Sequence, residues 1–96
     1  MQAEAVPAVL QSAHEWLVRT IESMTADMPK RKFQVSYATV AEEAVFLVEV
    51  DRPAFGTVIG GASGVHADAL RSLARVVARA SGYRGRFDVK IRDLVT

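Results

Sequence analysis

The stretch FGTVIGGASG (Phe55 to Gly64) holds four of the six glycines of a 96-residue chain, and a long helical pattern follows it directly. Glycines in front of a helix let backbone approach a phosphate, and the first-turn amides and positive end of the helix dipole favour an anion there. Three readings of the stretch are open. Gly56 to Ser63 (GTVIGGAS) fits the spacing of a Walker A loop, but Ala62 stands where the phosphate-reaching lysine belongs. A second reading is a sharp helix–helix turn that needs positive φ and holds no ligand. The third depends on the elements around the glycines. Other residues offer little chemistry. There is no cysteine, which excludes disulfides, thiolate nucleophiles and Cys-based zinc sites. His14 and His66 lie far apart with no carboxylate or metal-ligand pattern, and His66 reads as solvent-facing. Glu42 and Glu43 read as a solvated hairpin tip. The expectation is therefore no enzyme, no metal and no cofactor.

The elements that must position the glycines are legible from periodicity. Leu10, Ala13, Leu17, Ile21, Met24 and Met28 recur at steps of three and four, widened by Val9 and Trp16. They predict an amphipathic helix from residue 8 to residue 28, with Pro7 in its first turn and Pro29 stopping it. Trp16 reads as a core or partner contact. Phe33, Val35 and Tyr37 alternate with polar or small residues in FQVSYATV, the period of a half-buried strand. AEEA (41 to 44) interrupts it, and VFLVEV (45 to 50) predicts the more buried second strand of a hairpin. Asp51 is an N-cap candidate and Pro53 suits an early helical position, predicting a short helix over 53 to 58. Leu70, Leu73, Val76, Val77 and Ala80 mark a second long helix over 65 to 81, with Gly82 beyond its end. RFDVKIR (86 to 92) alternates cleanly as a last strand.

This order predicts one α+β domain of two layers over residues 8–96, with three strands, three helices on one sheet face and a tail at 1–7. A chain of this length buries roughly 60–70% of its unfolded surface, enough for one modest core. With no signal-like start and no stretch near the ~20 apolar residues of a membrane helix, a cytoplasmic protein without membrane contact is expected.

Within that order, FGTVIGGASG…ALRSLARVVA resembles the core of a KH domain of type II. In that family a V-I-G run closes a short helix, a G-x-x-G loop follows, and the next helix carries an A-L/I-R motif. The resemblance covers residues 10 to 93 and is nearest to the small bacterial single-KH RNA-binding proteins, with the Jag-type KH module also similar. It implies a loop that clamps about four nucleotides of single-stranded RNA. Carried over, the loop is Gly61, Ala62, Ser63 and Gly64, with Gly60 the rival first glycine; spacing to Ala69-Leu70-Arg71 favours Gly61. The bases would lie between the short helix and the second strand, over Val58 and Ile59. The chain departs from the pattern at Ala62 and Ser63, where the family usually carries a Lys or Arg.

Charge has to come from elsewhere. Residues 1–51 hold four basic and eight acidic side chains, residues 52–96 eight basic and three acidic. Arg71, Arg75 and Arg79 are spaced by four and form one helical stripe, the expected RNA-backbone contact. Arg52, Arg84 and Arg86 extend the basic surface, and Lys30, Arg31 and Lys32 form a separate basic run. The resemblance also implies a homodimer, or a heterodimer with a second KH protein. The alternative function is a degenerate KH domain that serves as a protein-interaction or dimerisation module with little RNA affinity.

Overall fold

The computed structural model describes residues 3–28 and 32–94. Ala8–Leu10 forms one 3₁₀ turn that runs into helix α1 (Gln11–Met24). Strands β1 (Phe33–Val40) and β2 (Glu43–Val50), helices α2 (Arg52–Ile59) and α3 (Val65–Ala80), and strand β3 (Arg86–Asp93) follow. The expected α–β–β–α–α–β order, three-stranded sheet and single helical layer are all present.

α1 stops four residues earlier than its apolar period predicts. Thr25 is completely buried and donates its hydroxyl to the Ile21 carbonyl at 2.8 Å, while Met28 N bonds Thr25 O in a turn. Met24 and Met28 both still pack on the core, so the period reports burial and not helix. Pro29, Lys30 and Arg31 lie outside the described residues. The hairpin is tighter than expected. Ala41 and Glu42 alone form its tip, with φ of 50° and 65°, the paired left-handed geometry that suits the twist of the flanking strands. β2 therefore begins at Glu43.

β1 and β2 pair antiparallel from Phe33↔Val50 to Val40↔Glu43, whereas β2 and β3 pair parallel from Glu43↔Arg86 to Val50↔Asp93. A parallel pair requires a crossover, and the α2–α3 unit with its glycine corner supplies it. The helices lie on the sheet face made by Tyr37, Phe46, Val48, Phe87 and Val89. Onto it pack Leu10, Ala13, Leu17 and Ile21 from the N-terminal helical segment, Ala54 and Val58 from α2, and Leu70, Ala74 and Ala78 from α3. Phe46 is central: the rings of His14, Tyr37 and Phe87 stand 5.8, 5.3 and 5.9 Å from it. Each fully buried side chain of this size contributes about 1.5–3 kcal/mol.

The reverse sheet face bears no helix. Across it Gln34, Glu49 and Arg92 share one rung: Gln34 Nε2 donates to Glu49 Oε1 at 2.8 Å, and Arg92 Nη2 and Nε donate to Oε2 at 2.9 and 3.0 Å. Gln34's amide, with help from the Arg92 hydrogen bond and charge, holds the Glu49 carboxyl below its ordinary value of 4.5 against the opposing effect of burial. The stretch expected to be a tail is tied to the domain. Glu4 N donates to Tyr37 O at 2.7 Å, and the Glu4 carboxylate accepts Thr39 N at 2.8 Å, covering the free edge of β1.

Candidate nucleic-acid interface

The corner between α2 and α3 separates the roles of its glycines. Gly60 (φ +83°) ends α2, and the amides of Gly60 and Gly61 both reach Gly56 O, at 3.0 and 3.1 Å. A Cβ on Gly60 would lie 2.6 Å from His66 N and 2.9 Å from Val65 Cγ1, so this residue must be glycine for the two helices to meet. Gly61 to Gly64 is then a separate turn, closed by Gly64 N on Gly61 O at 3.1 Å. Thus Gly60 is a helix cap, and Gly61-Ala62-Ser63-Gly64 is the loop. His66 is more than a solvent-facing side chain: its Nδ1–H donates to Thr57 O at 2.8 Å, satisfying a carbonyl that α2 leaves open at its end.

The loop presents donors and no charge. Ala62 and Ser63 are exposed, and among the described contacts their amides have no acceptor. Gly64 is the N-cap of α3 and provides no side-chain cap, which leaves the first-turn amides of Val65, His66 and Ala67 open at the positive end of a 16-residue helix. The Ser63 hydroxyl rests 3.4 Å from Gly60 O. A Walker A loop joins a strand to a helix, whereas this one joins two helices, so the lysine-less GTVIGGAS string is not in that setting.

One expected site residue is placed differently. Val58 is completely buried in the core with Ala54, one turn earlier on the same face of α2, and cannot floor a groove. Ile59, half-buried, stays at the surface. α2 packs against both the central strand β2 and the edge strand β3.

The arginine stripe lies along the free edge of β3. Arg71 Nε bonds Asp88 Oδ1 at 2.9 Å and Val89 O at 3.1 Å, and its Nη1 bonds Asp68 Oδ1 at 3.0 Å. Arg75 Nη2 donates to Phe87 O at 3.3 Å. Arg79 Nη1 donates to Tyr83 O at 3.0 Å and Gly85 O at 2.8 Å. The three side chains thus occupy outward carbonyls at the start of an edge strand and in the turn before it, covering that part of the edge. Arg71, the stripe member nearest the loop, is neutralised by two aspartates; Arg75 and Arg79 meet only neutral carbonyls. The i,i+3 spacing of Asp68 and Arg71 signals the first ion pair in sequence. Nothing local signals Asp88 or the carbonyls.

Arg52 pairs with Asp93 at 3.0 Å, and His14 Nε2 donates to Val35 O at 3.3 Å. Trp16 is half-buried and lines an apolar groove of about 140 Å³ between α1 and α3, with Thr20, Met24, His66, Ala69, Leu70 and Leu73. Among the described residues no three His, Cys, Asp or Glu side chains gather as metal ligands, and no helix is long and apolar enough to cross a membrane. No protein-family model matches the chain, and searches of curated proteins and of solved structures find no similar protein.

Proposed function

We propose that this protein is a non-catalytic single-stranded RNA-binding module of the KH type that grips the RNA backbone at the Gly61–Gly64 loop. The observation carrying this reading is the loop itself. It is a one-turn corner whose exposed Ala62 and Ser63 amides and uncapped α3 amides converge at a helix N-terminus. It sits in a crossover between two parallel strands, in the element order the KH resemblance implies. Backbone amides recognise phosphate without reading bases, so binding is tolerant of sequence. The test is fluorescence anisotropy with short single-stranded RNA at several salt concentrations, with wild type and Ala62→Asp/Ser63→Asp. Salt-sensitive binding that the double substitution weakens supports the loop mechanism; an affinity that the double substitution leaves unchanged rules the loop out.

A second reading, a dimerisation module, is favoured by one specific observation. Val65, Leu73 and Val76 of α3 are 57%, 51% and 62% exposed and fall on one outer stripe with Ala69 and Ala80, beside the Trp16 groove. Its occupant on this reading is a second copy of the chain, and solution mass with and without RNA separates the two roles.

A further inference from the structure

The ion pairs sort the positive half of the chain. Among the described residues, Asp93 pairs with Arg52, Asp68 and Asp88 with Arg71, and Glu49 with Arg92. All three acids of residues 52–96 are thereby used, and no salt bridge engages Arg75, Arg79, Arg84, Arg86 or Lys90. Four of these five cations lie between residues 75 and 86, around the C-terminal end of α3 and the turn into β3.

That end is built to hold them. Arg79 bonds the carbonyls of Tyr83 and Gly85, Arg84 Nη1 bonds Arg79 O at 2.9 Å, and the Tyr83 hydroxyl donates to Arg86 O at 2.8 Å. Each bonded guanidinium spends one nitrogen on carbonyls and keeps further donors for a ligand. The α3 C-terminus opposes the cluster with only about half a negative charge. Glu43 stands beside Arg86 in register and forms no ion pair with it. Four cations against Glu43, the adjacent Glu42 of the hairpin tip and a helix end leave a net positive patch.

We infer that this Arg75–Arg79–Arg84–Arg86 cluster is a second phosphate-binding site, separate from the glycine loop, so that RNA is gripped at both ends of α3. The inference rests on the RNA-binding reading above. The 16 residues of α3 set the two sites about 24 Å apart. Between them lie Asp68, Arg71 and Asp88, whose net charge of one negative unit attracts no phosphate. The loop contributes position through amides; the cluster contributes charge. A stacked single strand advances about 3.4 Å per nucleotide, so bridging takes on the order of seven nucleotides. A tetranucleotide occupies one site at a time, whereas a decamer engages both and gains from the high effective concentration of the second contact.

The experiment compares oligouridines of four and ten nucleotides, U4 and U10, on wild type, Arg84→Ala/Arg86→Ala and Ser63→Asp. Both arginines are exposed and circular dichroism checks the fold. One-site binding favours U10 only by its about seven four-nucleotide registers. The two-site grip predicts a U10-to-U4 affinity ratio at least tenfold above that, falling to about seven in either variant. In Arg84→Ala/Arg86→Ala the U10 salt slope also becomes shallower by about 1.4. A wild-type ratio near seven, or an excess that survives the arginine double variant, overturns the second site and leaves the RNA reading standing. Absence of binding to both oligomers overturns both.

Discussion

Gly60 and Gly61 share left-handed backbone, with φ of +83° and +76°, yet their substitutions have unequal costs. Alanine at Gly61 meets nothing within 4 Å and incurs only the left-handed penalty, about 1–2 kcal/mol. Alanine at Gly60 adds a collision with the His66 amide, a backbone atom that moves only if α3 shifts. Urea denaturation should therefore show Gly60→Ala as the more destabilising, by at least about 1 kcal/mol beyond Gly61→Ala. A smaller loss at Gly60 would mean the corner is not locked by that contact. The neighbouring Ala62 is exposed at the crest of the loop and supplies no charge. Ala62→Lys should tighten single-stranded RNA binding and steepen its salt slope by about 0.7, as one added phosphate contact does. The missing cation was legible in the sequence because Ala62 and Ser63 are plainly uncharged. The burial of Val58 was legible too, since Ala54 and Val58 are four apart on one face, but the motif pattern pointed the other way. The division of labour between Gly60 and Gly61 was not legible, because it depends on where His66 lands in space.

At the scale of elements, helical spacing correctly put Arg71, Arg75 and Arg79 on one stripe, and strand alternation correctly set the inward faces of β1 and β3. Neither pattern shows that β3 runs parallel to β2 at the sheet edge, so neither shows that the stripe meets outward β3 carbonyls. α1 shows the reverse failure: Met28 continued the period although Thr25 had already ended the helix. Because Arg75 covers Phe87 O, Arg75→Ala should cost about 1.5–3 kcal/mol in urea denaturation, the range for a hydrogen bond with one charged partner. An unchanged midpoint would mean water replaces the guanidinium there without loss. The Gln34–Glu49–Arg92 rung ties all three strands and makes stability depend on pH. The folded Glu49 carboxyl is held below 4.5, so its contribution is fully present above the unfolded value and is lost as pH falls through the lower folded one. Thermal unfolding of wild type should lose stability between about pH 5 and pH 3 by more than Glu49→Gln does. Parallel curves for the two proteins would show that the rung contributes nothing through this charge.

For the whole molecule, the outer sheet edges are partly covered, by Glu4 at Tyr37 and Thr39 of β1 and by the arginines at Phe87 and Val89 of β3, which reduces the groups free to pair with an added strand. The outer stripe of α3 is an uncovered apolar surface, and its residues suit a second copy placed antiparallel about a two-fold axis near Ser72 and Leu73. In that register Val65 faces the partner subunit's Ala80 and Ala69 faces the partner subunit's Val76, so each large residue meets a small one. Leu73 is half exposed in the single chain, so replacing it leaves the core intact, while a carboxylate there would put two like charges at the centre of the pair. Leu73→Asp should therefore convert a dimer to a monomer in light scattering and remove any dependence of the melting temperature on protein concentration. A wild-type chain that is monomeric at high concentration would sink the self-pairing, and the stripe would then require a different partner.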